Sequence, residues 1–225
     1  MSLPELSWSA RGVVAGYGDA PVLDGVGIEI RGGETVGLAG PSGCGKTTLG
    51  RVLALLHRPD AGTVEIDGAA VPGFRHRAPR ELRTRIGVVF QQPRLAVDPR
   101  MTLRATIAEP LRAGGLPPEI GALADRVGLT ADLLGRRPHE VSDGQLQRAC
   151  LARALALRPA YLLCDEMTTM LDASTTAALV GVIREYQADT ECAVLAVSHD
   201  DGLLGRWSDR VVLMHVDGRS DSVAA

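Results

Sequence analysis

The chain has 225 residues, 45% of them hydrophobic but only 3% aromatic, with 26 glycines. That is enough for one well-cored domain, and it suits an α/β protein of aliphatic strands and tight turns. The formal charge of −3 is spread over interspersed signs, which excludes a global basic field for nucleic acid, and four scattered cysteines without a CxxC pair exclude a disulfide framework or thiolate metal site.

Reduced thiols of this kind belong to a cytosolic protein. The opening residues, Met1-Ser2-Leu3-Pro4-Glu5-Leu6, have neither the positive nor the apolar region of a secretory leader, and no apolar run reaches membrane-spanning length. The chain is therefore expected to be soluble by itself, with any membrane role coming through partners. Val22-Leu23 and Ile28-Glu29-Ile30 flank glycine turns, and Arg31-Gly32-Gly33-Glu34 leads into Thr35-Val36-Gly37-Leu38-Ala39, a buried strand.

Directly after that strand comes Gly40-Pro41-Ser42-Gly43-Cys44-Gly45-Lys46-Thr47, and Lys46 is the chain's one lysine among 24 basic side chains. A Gly-x-x-x-x-Gly-Lys-Thr run is a phosphate-binding loop. Its glycines let successive N–H groups face one concavity, the ammonium reaches the β- and γ-phosphates, and the threonine hydroxyl ligates Mg2+. Leu49, Val52, Leu53 and Leu56 then recur at helical spacing, so a helix N-terminus faces the phosphates, with Thr48 in its first turn. Strand, loop and helix together imply a nucleoside triphosphate site.

Thr63-Val64-Glu65-Ile66, the turn Asp67-Gly68 and Ala69 to Val71 predict a hairpin, and Arg85 to Phe90 a strand ending at Gln91-Gln92-Pro93. From about 94 to 158 the pattern turns helical, broken by Pro99, Pro110, Pro117-Pro118 and Pro138. Strands return at Tyr161 to Cys164, Ala193 to Val197 and Val211 to Met214, and the tail Ser220 to Ala225 is expected to fray. Strands alternating with helices imply a largely parallel sheet. The strand at 161 ends in Asp165-Glu166, where Asp165 is placed to hold Mg2+ through its water shell and Glu166 to polarise an attacking water.

Pro138-His139-Glu140-Val141-Ser142-Asp143-Gly144-Gln145-Leu146-Gln147-Arg148, followed by Ala152-Arg153-Ala154-Leu155, closely resembles the signature segment of ABC-type ATPases, usually Leu-Ser-Gly-Gly-Gln. The rest of the chain follows that family's order. Tyr17 sits where an adenine-stacking aromatic stands, with a half-buried core tyrosine as the alternative. Gln91 takes the Q-loop position by the match Phe-Gln-x-Pro, with Gln92 as its competitor. Leu171-Asp172 match the D-loop, and Ser198-His199-Asp200 the switch histidine that donates to the γ-phosphate. The resemblance implies a P-loop NTPase (RecA-like) α/β core with an antiparallel β subdomain, residues 1–90 and 159–225, and an inserted helical subdomain at about 91–158, all in a single nucleotide-binding domain.

It also implies ATP as substrate, with Mg2+ held by Thr47, Gln91 and Asp165, and catalysis by Glu166, His199 and Gln91. Two such domains pair head to tail, so Ser142, Asp143, Gly144 and Gln145 would act on the partner's ATP. Phe90-Gln91-Gln92-Pro93, Asp98-Pro99-Arg100-Met101-Thr102, Ala108-Glu109-Pro110-Leu111 and the run from Asp165 to Asp172 resemble the peptide/nickel importer group. Many members of that group carry a cysteine-bearing C-terminal extension that this chain lacks, so the shorter, nickel-type subunits are the nearer match. The expected setting is the cytoplasmic face of the membrane, beside a second, non-identical ATPase subunit and membrane-spanning permease subunits, indirectly served by a solute-binding protein and without nucleic acid. An exporter or lipoprotein-release ATPase, or a regulatory ABC ATPase, is the competing reading.

Asp143 replaces the usual first glycine of the signature, and Val141 the usual leucine. Either the carboxylate repels the partner's γ-phosphate, or it opens the signature helix and interacts with that helix's positive end. Cys44 and Cys164 read as small apolar fillers, and His57, His76, His139 and His215 as surface residues or loop anchors.

Overall fold

The computed structural model describes residues 6–18, 20–169 and 171–220. Two sheets and a set of helices follow from two kinds of strand. Strands β1 (Ser7–Gly16), β2 (Pro21–Arg31) and β4 (Ala61–Ile66) mix buried and exposed positions, and both residues of β5 (Ala69–Ala70) are exposed. They form an antiparallel sheet in the order β2-β1-β4-β5, with one face on the core and one toward solvent. Strands β3 (Thr35–Ala39), β6 (Ile86–Val89), β7 (Tyr161–Asp165), β8 (Ala193–Val197) and β9 (Arg210–Leu213) make a second, wholly parallel sheet in the order β6-β7-β8-β3-β9. The three central strands, β3, β7 and β8, are buried at every position, which is why they read as largely apolar runs, with Thr35 and Asp165 at their ends the polar exceptions.

Alternation across the parallel sheet divides the core in two. Tyr161, Leu163, Val36, Leu38, Leu195 and Val197 face helix α1 (Lys46–Leu53) and the antiparallel sheet. Leu162, Cys164, Val194 and Ala196 face the other way, onto α3 (Leu103–Ala113), α6 (Asp143–Leu155), α7 (Ala173–Thr190) and α8 (Asp201–Trp207). The short helices α2 (Arg80–Arg83), α4 (Gly121–Arg126) and α5 (Ala131–Leu134) complete the chain, and α3 to α6 all lie between β6 and β7.

Several sequence expectations are corrected. The segments at Val22 and Ile28 are one strand, β2, in which Gly25 at φ 73° supplies an irregularity rather than a turn. The first helix stops at Leu53, because Leu55 takes a left-handed φ of 61°, and Leu56 is exposed. Pro110 sits inside α3, within a turn of its end. Ser220 bridges to Met214, while the remainder of the expected frayed tail, residues 221–225, lies outside the described residues, as do residues 1–5 of the leader reading. Asp67 and Gly68, at φ 53° and 74°, do form the tight β4–β5 turn.

Candidate functional site

The phosphate loop leaves β3 at its C-terminal edge and enters α1 through backbone that only glycine takes easily. Gly40, Gly43 and Gly45 have φ of 144°, 84° and 102°. A Cβ on Gly45 would lie 2.5 Å from Leu23 Cδ2, and one on Gly40 would lie 2.5 Å from the Met214 carbonyl oxygen. Pro41, Ser42 and Gly43 are exposed at the rim, whereas Cys44, Lys46 and Thr48 are buried. Lys46 Nζ donates to the Gly40 and Pro41 carbonyls at 2.7 and 2.9 Å, so the ammonium is held at the mouth of its own loop.

One helical position on, Thr47 Oγ1 donates to Asp165 Oδ1 at 3.0 Å. Burial of Asp165 raises its carboxyl above the ordinary carboxylate range; the Thr47 bond opposes this, and the neighbouring Glu166 charge adds to it. A threonine hydroxyl beside one buried carboxylate, with the Gln91 amide oxygen near the same edge, is a set of hard oxygen donors that suits Mg2+.

Glu166 is the point of convergence. Its carboxylate Oε2 accepts from Gln91 Nε2 at 2.8 Å and lies 3.7 Å from His199 Nδ1. Gln91 follows β6, Glu166 follows β7 and His199 follows β8, so three adjacent parallel strands deliver one side chain each. Glu166 itself has a left-handed φ of 48°. Its N–H on the Val197 carbonyl (2.9 Å) and its carbonyl on Thr169 Oγ1 (3.0 Å) hold that conformation. Gln92 is exposed, which favours Gln91 in the Q-loop assignment.

Tyr17 is 55% exposed, so the core alternative is excluded. Its hydroxyl accepts from Arg51 at 3.2 Å, and its ring lies 4.9 Å from that of His57, which is buried rather than on the surface. Asp172 caps α7 through the Thr175 N–H at 2.8 Å and the Ser174 hydroxyl at 2.5 Å; these bonds, the serine's first, hold its carboxyl far below the usual range. Asp200 caps α8 in the same way, through Leu203 N–H at 2.9 Å. Cys44 and Cys164 are fully enclosed, and burial pushes the Cys164 thiol well up, as fillers require.

The signature residues stand apart from this cluster. Ser142 is exposed and caps α6 in a reciprocal box with Gln145, the two bonds measuring 3.2 and 3.0 Å. Gly144 lies against Thr175 and Leu171, beside the Asp172 cap. Asp143 opens α6 and pairs with Arg94 at 2.7 Å. The sequence reading passed over Arg94, although a lone arginine three residues past Gln91 and an unexpected aspartate in the signature were both visible as opposite charges.

The ABC transporter family profile matches residues 23–169. The putative oligopeptide transport ATP-binding protein YkfD of Bacillus subtilis is 37% identical over 201 residues, 86% of this chain and 61% of its own length. Oligopeptide transport ATP-binding protein OppF of Salmonella typhimurium is 36% identical over 86% of this chain and 60% of its own. Glutathione import ATP-binding protein GsiA of Pectobacterium atrosepticum is 38% identical over 85% of this chain and 32% of its own. The chain thus spans between about a third and three fifths of the length of these relatives. Among solved structures, the dimeric bacterial ABC transporter cassette MJ0796 superposes with a TM-score of 0.83 at 26% identity, covering 95% of this chain and 96% of that one. The same cassette in a post-hydrolysis state with ADP and Pi gives 0.81 at 25%, covering 97% and 99%. With its phosphate loop, paired acids and signature helix in this architecture, the chain belongs to the ABC transporter family.

Proposed function

We propose that this chain is the ATP-hydrolysing subunit of an ABC importer for peptides. The observation that carries the reading is the meeting of Gln91 and His199 at Glu166, one residue past the Asp165–Thr47 pair at the phosphate loop. ATP phosphates would lie on the N–H groups of Gly43 to Thr48 at the start of α1, with Lys46 exchanging its loop carbonyls for phosphate oxygens and Tyr17 stacking on adenine. Thr47, Asp165 and Gln91 would hold Mg2+, which when bound offsets phosphate charge. Glu166 accepts the proton of the attacking water, Gln91 orients its carboxylate, and His199 donates toward the γ-phosphate.

The exposed Ser142 and its helix N-terminus, whose bonds run to Gln145, support a role on a partner's nucleotide, with Asp172 ordering the neighbouring turn. The relatives' names supply the peptide reading; the nickel reading has no such support and is not kept. A groove of about 500 Å3 between α2–β6 and α3–α6, lined by Leu56, Phe90, Pro110, Cys150 and Leu157, offers an apolar seat for a permease segment. None of the described helices is long and apolar enough to cross a membrane; the proposed peripheral position on the cytoplasmic face follows from the transporter reading alone.

The test is reconstitution in vesicles with the neighbouring permease and a second ATPase subunit. ATP-dependent uptake of a short peptide, abolished by Glu166→Gln, is expected. Outward movement, or robust turnover and ATP-driven dimerisation by this chain alone, would overturn the importer or the non-identical partner respectively.

A further inference from the structure

We infer that Arg94 is the positioning residue of the signature segment, cancelling the charge of Asp143 and fixing the start of α6 to the turn that carries Gln91. The inference rests on the reading of Ser142 to Gln145 as the part that meets a partner's nucleotide. Arg94 lies in a 3-10 turn, Pro93–Leu95, and all three of its guanidinium nitrogens are used. Nε donates to Asp143 Oδ1 at 2.7 Å, Nη1 to the Pro138 carbonyl at 2.7 Å, and Nη2 to the Val141 carbonyl at 3.1 Å. One planar fork thus holds both sides of the bend that leads into Ser142, which a single ammonium cannot do.

The same segment is tied to α6 twice more. Gln147 Nε2 donates to the Phe90 carbonyl at 3.1 Å, and Arg153 Nη1 to the Ala96 carbonyl at 2.6 Å. Residues 90–96 therefore run along α6 with a bond near each of its first three turns, while Gln91 in the same segment bonds to Glu166. A shift at the hydrolysis site is passed to this chain's own signature, and so to the other nucleotide. Asp143 is the hazard in such a device, since a free carboxylate beside Ser142 and Gly144 would repel a γ-phosphate. Its pairing with Arg94, together with the partial positive charge of the α6 N-terminus, removes that charge from the phosphate's view.

In the assembled transporter, Arg94→Ala should lower ATP turnover by about tenfold and raise KM, because it exposes Asp143 to a phosphate. Adding Asp143→Gly to Arg94→Ala should recover turnover to within about threefold of the unaltered complex, since the repelling charge is gone. Hydrogen exchange over residues 138–146 should be faster in both variants, because the carbonyl ties are lost in both. A merely structural Arg94 gives no such recovery. Turnover of Arg94→Ala within about twofold of the unaltered complex, or a double variant as poor as the single, overturns the inference. Ser142→Ala separates the two failures. If it is inactive while Arg94→Ala is not, only the Arg94 role is wrong; if it is fully active, the partner-facing reading fails and takes the inference with it.

Discussion

Glu166→Gln removes a base while leaving nearly everything else in place. Glutamine has the same shape, and its amide oxygen can still accept from Gln91 Nε2, now at 2.8 Å. What disappears is basicity and the attraction to His199 at 3.7 Å; with the histidine side chain 56% exposed, that attraction is worth at most about 1 kcal/mol, or fivefold in affinity. A positioned general base contributes about 10²- to 10⁴-fold, which at 1.36 kcal/mol per decade is about 2.7–5.4 kcal/mol of barrier. The two magnitudes differ enough to separate the roles. Phosphate release should fall at least about 100-fold, while ATP affinity, followed by titration of a fluorescent analogue, should change less than about fivefold. Turnover within about tenfold of the unaltered complex would place the base elsewhere. Parallel loss of affinity and rate would make Glu166 a structural residue, and its left-handed backbone would then be the feature to explain.

Lys46→Arg should lose most ATP affinity, by about tenfold or more in an equilibrium titration, because a planar guanidinium does not fit between the Gly40 and Pro41 carbonyls; near-normal binding would count against the loop geometry. Asp165→Asn should abolish Mg2+-dependent turnover yet stabilise the nucleotide-free protein at pH 7. A carboxyl whose folded pKa is raised contributes stability below its unfolded value near 4 and loses it as pH rises through the folded value. The gain should be about 1 kcal/mol, or about 2–4 °C in Tm by calorimetry, and should shrink toward pH 4. Asp67 behaves oppositely. Burial raises its carboxyl, but bonds from Tyr161 and Arg85 outweigh burial and leave it lowered. Its contribution is present above about pH 4 and lost as pH falls through the depressed value, so Asp67→Asn should cost about 1 kcal/mol in denaturant melts at pH 7 and progressively less as pH falls below about 4.

The parts of the site that were legible in sequence are those where chemistry leaves no alternative. Glycines at φ 84° and 102° cannot be exchanged without strain, and a strand buried on both faces has to be an apolar run. The less legible parts depend on neighbours distant in sequence. Gly25 looks like a turn until β1 pairs on both sides of the bulge it makes. Pro110 looks like a breaker, yet α3 carries it within a turn of its end. Tyr17 has the same sequence context whether buried or exposed, and only the fold shows it standing over His57 at the rim. Arg94 was missed because its partners, Pro138, Val141 and Asp143, are about forty-four to forty-nine residues away and two of them are carbonyls, which sequence patterns cannot show.

The near-absence of lysine acquires a physical meaning at these contacts. Arg94 spans two carbonyls and a carboxylate; Arg153 joins the Ala96 carbonyl to Glu109; Arg210 joins Glu34 to the Glu29 carbonyl. Each tie links segments far apart in the chain, and each needs donors diverging from one planar group. An ammonium in the same place would satisfy one acceptor well and leave the others to water. Lys46 faces the reverse demand. Its head must turn from two carbonyls of its own loop to a phosphate arriving at the same mouth, and a compact cation on a flexible stem makes that exchange without displacing the loop. Replacing Arg94 or Arg153 by lysine is thus expected to loosen the frame that aims α6, whereas replacing Lys46 by arginine blocks the site that the frame serves.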